Sequence, residues 1–277
     1  MINFIAEILG ALIRLIYNVV GENYGSSIII FTILTKLLMF PVTYKQEKAM
    51  NEMKKVAPLE KEIREKYKGN TEKMGEELMK LYQENKVNPY GGCLPLLIQI
   101  PIIFAMFWIV KQPLTYIAEI PHEELKTYTQ EYLQKEDVTD NEIKNSEIEI
   151  AKKHNLIDME FCGLNFGDVP SQSLKKDENG NISVSKWTLL IPIFSIILGF
   201  VQTKISQKSS NLTEEQIQQQ RTMNFMMPIL LGYTAYIMPV ALGVYWLLGN
   251  ILGIISQLLI NFMLKDRKIL IGEGEIK

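Results

Sequence analysis

The chain has 277 residues, 47% of them hydrophobic, with a formal net charge of −2, two cysteines and two histidines. Such a balanced charge gives no reason to expect DNA as a partner. With no GxxxxGK[ST] loop, HExxH helix or CxxC pair anywhere, neither a cofactor nor an enzymatic centre is expected.

Apolar residues are gathered into five blocks, each near the 20 or so residues that a membrane span needs, while most of the charge lies between them. This distribution predicts an all-α, polytopic membrane protein with five transmembrane helices. Residues 1–24 come first. Asn3, Glu7, Arg14 and Asn18 recur at spacings of four, seven and four, which puts them on one face of a helix otherwise made of Ile, Leu and Val. An amphipathic helix lying in the membrane interface is expected, retained in the mature protein because no cleavage site or lipid-accepting cysteine stands near it. Residues 25–44 form the first span.

Residues 45–91 follow as a charged hairpin. Leu59, Ile63 and Tyr67 share a helical stripe, Gly69-Asn70 interrupts it, and Met74, Leu78, Leu81 and Tyr82 resume it. The hairpin reads either as a spacer or as a docking arm. The second reading rests on Met50, Met53, Met74 and Met79, since methionine surfaces adapt to varied apolar partners. Residues 92–110 make the second span and 111–186 a long segment expected to be mostly solvated, with short helices in pieces such as EELKTYTQEYLQ and a turn at SLKKDENGNIS. Within it His122 and His154 are expected to be solvated surface residues. Cys93 and Cys162 fall in different regions and support no disulfide; Cys93 is expected to pack at the membrane edge. Spans at 187–203, 222–238 and 240–264 complete the set, separated by a loop at 204–221 and followed by a basic tail, 265–277, with Lys265, Arg267 and Lys268.

Orientation follows from the basic residues. Residues 45–91 hold eleven of them, whereas 111–186 hold nine against fifteen acids. The hairpin is therefore expected in the cytosol, the long segment outside, the N-terminus outside and the C-terminus inside, at a bacterial plasma membrane.

One residue breaks the pattern of the first span. In FTILTKLLMFP, Lys36 lies nine residues before Lys45, or about 13 Å along a helix. That is deeper than a lysine stem covers by snorkelling. A lysine at mid-membrane costs about 2.5 to 3.5 kcal/mol on insertion scales and usually faces water or a partner. With no acid in any expected span, water is the solvent left to it. Polar stripes on other spans fit such a cavity: Thr32, Lys36 and Thr43 on the first, Gln99 on the second, Ser195, Gly199, Gln202 and Ser206 on the third, and Trp246, Asn250, Gly253 and Gln257 on the fifth. Each stripe alone is also the usual glue between membrane helices.

The stretch NPYGGCLPLLIQIPI, Asn88 to Ile102, after a charged hairpin and a span with a central cation, closely resembles the YidC/Oxa/Alb membrane protein insertases. MNFMMPILLGYTAYIMPVALGVYWLLGN, Met223 to Asn250, is similar to the fourth and fifth core spans of that family. The resemblance implies that the chain inserts nascent membrane proteins through a hydrophilic intramembrane groove, alone or with the Sec translocon, and helps them fold. By position it implies groove roles for Lys36, where the family usually has arginine, and for Thr32, Gln202 and Trp246; Gln99 falls in the matching second-span motif. Implied partners are nascent clients, the bilayer, the ribosome and the translocon. Lysine keeps the charge but not arginine's planar fork. The chain also departs from relatives that carry an N-terminal lipid cysteine or a large periplasmic domain, and its 111–186 segment is longer than expected. The alternatives are a secondary transporter or channel using Lys36 as an ion site, and a scaffold for other membrane proteins. Transporters commonly carry internal repeats, which are not visible here.

Overall fold

In a computed structural model the protein is described for residues 2–88, 94–174, 184–209 and 214–272, with the side chains of 4–88, 98–174, 184–206 and 224–264. Cys93, most of SLKKDENGNIS and the side chains of Met223, Lys265, Arg267 and Lys268 lie outside these ranges.

The architecture is helical. Helix α1 (Ile2–Val19) buries Ala6, Ile13, Ile16 and Tyr17 against the rest of the molecule. Gly10 lets the Tyr116 ring approach so closely that a β-carbon there would stand 3.0 Å from Cδ1. The outer surface of α1 is divided. Phe4, Ile8, Leu15 and Val19 form an exposed apolar strip beside the polar strip of Glu7, Arg14 and Asn18, and Arg14 is ion-paired with Glu119. Protein, apolar and polar faces thus share one short helix, a division that suits a boundary between phases.

Helix α2 (Tyr24–Lys66) starts where Asn23 Oδ1 accepts from the Ser26 amide, a side-chain N-cap. It then runs for 43 residues through Pro41 and Pro58. Each proline removes one amide donor without ending the helix. The apolar stretch and the charged arm are therefore one rod rather than two elements. The chain turns at Tyr67–Asn70, where Gly69 has a φ of +99° that suits glycine, and returns as α3 (Thr71–Glu84), capped by Asn70. Val56, Glu60, Leu78 and Leu81 are buried between these two helices, and Arg64 Nη2 donates to Glu60 Oε1 at 2.8 Å.

Helix α4 (Leu94–Lys111) contributes Ala105, Met106, Ile109 and Val110 to the core, and a short α5 (Pro113–Tyr116) follows at once. The long segment then folds. Helices α6 (His122–Leu133) and α7 (Asp140–His154) lead to a two-stranded hairpin, β1 (Glu160–Phe161) and β2 (Leu164–Asn165). A reciprocal capping box between Thr139 and Glu142 opens α7, and left-handed Asn155 closes it. Leu125, Ile143, Ile150, Ile157, Met159 and Phe166 are buried in the same cluster as the core of the long helices. The expectation of a mainly wet stretch is corrected here. Its charges lie outside, and the apolar residues between them are too widely spaced to form a single periodic stripe. His154 is corrected too: its side chain is 22% exposed, and its ring packs 4.9 Å from that of Tyr128.

This segment also fastens the helices it connects. The Tyr24 amide donates to Asp158 O (2.9 Å), Val240 N to Asp168 O (2.7 Å) and Ala241 N to Phe166 O (3.0 Å). Those donors belong to first helical turns, which have no partner within their own helices. Asn23 Nδ2 adds bonds to Asp158 Oδ2 and Glu160 O, and Lys152 Nζ donates to Asp168 Oδ1 at 2.8 Å. The absent side chain at Gly25 leaves room for Phe161, whose Cβ would lie 2.5 Å from a β-carbon added there.

Helices α8 (Leu190–Ser209), α9 (Glu214–Ile237) and α10 (Val240–Gly272) complete the chain. Small residues set their approach: a β-carbon at Gly232 would meet Ile196 Cγ1 at 2.0 Å, and one at Gly243 would meet Ile191 Cγ2 at 2.7 Å. Among the described residues, three helical stretches are long and apolar enough to cross a membrane, Tyr24–Lys66, Lys186–Ser206 and Val240–Leu264, and Ile98–Lys111 is a shorter apolar helix. Leu37, Leu38, Ile193, Phe194, Phe225, Ile255 and Phe262 stand exposed around them. A belt of this kind belongs against lipid rather than water.

Glu147 on α7 supplies a test of how the long segment is held. Its carboxylate is fully buried and accepts from the Thr115 amide (2.9 Å) and hydroxyl (2.6 Å). Burial pushes it from an ordinary 4.5 up to about 7, opposed by those hydrogen bonds and by Lys144. The folded carboxyl keeps its proton where the unfolded one has lost it, so stability falls as pH rises from about 4.5 to about 7. Glu147→Gln removes that slope, as read from amide exchange of residues 113–154 across the same range.

Candidate functional site: a polar groove between α2, α8 and α10

Eleven residues separate Lys36 from Glu47 on α2, three helical turns to within about 20°. Both residues therefore face one way. Together with Met39, Thr43 and Gln46 they line one wall of an open cavity of about 360 Å³. The opposite wall is the stripe Trp246, Gly249, Asn250, Gly253 and Gln257 of α10, with Tyr245 and Ser256 beside it. Gln202 and Ser206 enter from α8, Gln99 and Ile103 from α4, and Leu231 from α9.

Two glycines shape the floor. A methyl group at Gly249 would stand 3.4 Å from Lys36 Cε and 3.7 Å from Nζ, so the lysine stem lies along the α10 backbone. At Gly253 an added β-carbon would meet Gln202 Nε2 at 2.5 Å and Cδ at 2.9 Å. Any larger residue there must displace the amide. Gln99 Nε2 donates to Tyr245 Oη (3.2 Å), and Asn250 Nδ2 donates to Ser195 O (3.1 Å), ties that hold α4 and α8 to α10. No carboxylate among the described residues pairs with Lys36. A cavity of this size has room for on the order of ten waters, and its amides and hydroxyls give them partners.

Of the residues singled out from the sequence, Lys36, Gln99, Gln202, Trp246 and Asn250 meet in this cavity. Thr32 does not reach it. It is fully buried, and its hydroxyl donates back to Ile28 O at 2.6 Å, so helix packing has absorbed its polarity. Met50, Met53, Met74 and Met79 lie along α2 and α3 beyond the cavity, and of these Met79 is half exposed while the other three are partly covered. The buried contact of that hairpin is made by Val56, Leu78 and Leu81 instead. Sequence reasoning passed over Glu47 because it ended the first span at residue 44; spacing four beyond Thr43 was the available signal. Among the described residues no His, Cys, Asp and Glu are grouped to hold a metal ion.

A predominantly helical molecule with an exposed apolar belt and an open polar cavity carrying Lys36 between its helices is a polytopic membrane protein. Comparison with known proteins gives that class a family. The model described as 60Kd inner membrane protein matches residues 15–267, and the chain belongs to this family, that of the membrane protein insertases. It is similar to the membrane protein insertase YidC of Fusobacterium nucleatum, with 29% identity over 92% of this chain and 94% of the relative. The corresponding protein of Caldanaerobacter subterraneus is 27% identical over 98% of both chains. That of Chlamydia trachomatis is 31% identical over 96% of this chain but only 29% of its own length.

Cysteine labelling tests whether the groove is wet. In a variant without Cys93 and Cys162, Ser256→Cys should react with a small charged thiol reagent, and Leu259→Cys, on the exposed apolar face, should not. Adding Gly253→Leu, which displaces Gln202 into the cavity, should slow the Ser256→Cys reaction several-fold.

Proposed function

We propose that the groove accepts the hydrophilic flank of an entering membrane segment while its apolar stretch slides outward against lipid. The observation that carries this reading is Lys36 on the wall of an open polar cavity within an apolar helix bundle. Lys36 attracts acidic residues of the flank, and the polar groups of Gln202, Asn250 and Ser206 replace part of the flank's water. Nothing is chemically converted. Partition of about 20 apolar residues into the bilayer supplies the main drive. An inside-negative potential adds about 2.3 kcal/mol for each acidic charge moved outward per 100 mV.

The chain is oriented with five spans, its N-terminus outside and its C-terminus in the cytosol, which puts the hairpin of α2 and α3 on the side where nascent chains arrive. On this reading the hairpin, including Met50, Met53, Met74 and Met79, is a docking arm for the client or ribosome, and the Sec translocon is a further partner. An ion carrier needs a site open alternately to both sides. The strapped ends of α2 and α10, bound to one folded segment, favour a groove that stays open on one side.

In liposomes containing the pure protein, single-span clients with acidic tails should become protease-protected without any increase in passage of small ions. Lys36→Ala should slow that insertion several-fold, and Lys36→Glu should slow it further; Lys36→Arg should retain it. Equal rates for all four proteins would remove the attraction role, and ion flux without protection would favour the channel reading.

A further inference from the structure

The folded segment rejoins the long helices through two short turns, each of which hides a small polar side chain and shows a large apolar one. In Pro170–Leu174 the Ser173 hydroxyl is fully buried and donates to Pro170 O at 2.7 Å, while Leu174 is 63% exposed. In Lys186–Leu189 the Thr188 hydroxyl is buried and donates to Ser185 O at 2.7 Å, and Ser185 Oγ accepts from the Trp187 amide. With Thr188 held inward, Trp187 faces outward and is 72% exposed. The two turns pack on each other, and the first also packs on α9. Residues 175–183, which join them in sequence, contain Ile182 as their one large apolar residue and offer little with which to cover an indole.

The direction in which Trp187 points is informative. It stands three residues before Leu190, and Phe194, Ile197 and Val201 follow Leu190 at helical spacings, all of them exposed on α8. Trp187 thus extends the uncharged stripe that α8 turns toward lipid, at the end nearest the folded segment. Exposed Lys186 stands beside it, where the apolar stripe stops. Tyr233, 58% exposed and four residues before the end of α9, marks the same end of the molecule, because α9 leads directly to the Val240 amide that is bound to Asp168 O.

We infer that Trp187 and Leu174 form a lipid-contact surface that seats the folded segment in the headgroup layer of the bilayer. An indole suits that layer, since its ring is apolar while its N–H finds water or ester carbonyls. Lipid is the occupant because the patch is continuous with the belt that the spans already present to it. The contact also sets a depth. Gln202 lies fifteen residues beyond Trp187, about 23 Å along the helix, in an apolar layer about 30 Å thick. The Gln202 end of the groove is therefore held in the far half of that layer by an anchor at the near surface. This inference does not depend on what the groove accepts.

Fluorescence quenching tests the contact in vesicles of phosphatidylcholine and phosphatidylglycerol. The emission lost on Trp187→Phe isolates this indole while Trp108 and Trp246 stay in place. Nitroxides on the lipid headgroup or upper acyl chain should quench that emission several-fold more than nitroxides near the chain end, and aqueous iodide should quench it less than it quenches free tryptophan. A spin label at Val201→Cys, in a protein without Cys93 and Cys162, reads the depth of α8. Trp187→Ser should move that label by about 1.5 Å or more, one helical rise, and Trp187→Tyr should leave it in place. Iodide quenching as strong as for free tryptophan overturns the lipid surface, and so does shielding from iodide without quenching by lipid nitroxides, the mark of a protein cover. A label that stays at one depth in Trp187→Ser overturns the anchoring role.

Discussion

An ammonium group in the apolar part of a membrane helix must be given solvent, and much of this structure follows from meeting that requirement. Lys36 leaves α2 on the side away from its exposed Leu37 and Leu38, toward a space between helices. That space exists because α10 presents glycine at 249 and 253 where a larger residue would fill it. The amides of Gln99, Gln202 and Asn250 and the hydroxyl of Ser256 then make the walls wettable. A cavity lined with the same volumes of leucine would stay dry and would leave the charge without a partner.

A polar trough weakens the bundle that contains it, because polar walls provide less apolar contact between helices. The compensation is found at its far end. The folded segment between α4 and α8 binds the first turns of α2 and α10 through Asp158, Phe166 and Asp168, and buries Phe166 in the common core. Opposite walls of the groove are thereby tied to one body. Close packing of α8 against α9 and α10 through Gly232 and Gly243 secures the remaining side.

Different parts of this arrangement were legible in the sequence to different degrees. Polar residues at helical spacing inside an apolar run were a partial guide: Trp246, Asn250, Gly253 and Gln257 line the cavity together, of the α8 stripe only Gln202 and Ser206 do, and Lys36 announces itself by its cost. Thr32 shows the limit of spacing alone, since a hydroxyl satisfied by its own helix carries no sign of that in the sequence. Glu47 was hidden by the habit of ending a span at its first charges, whereas the helix continues unbroken to Lys66. The long segment was least readable. Its order comes from contacts between residues far apart in sequence, such as Asn23 with Asp158 and Phe166 with Ala241, which local composition does not encode.

The unbroken course of α2 has a mechanical consequence. Its 43 residues make a rod of about 64 Å, with the groove wall near the middle and the charged arm at one end. Torque applied at the arm reaches Lys36 through hydrogen-bonded helix rather than through a slack joint, and Pro41 and Pro58 are the two places where the rod lacks a rung. A tilt imposed on the arm would be carried toward the helix that walls the cavity. Arm and cavity wall are thus two stretches of a single helix.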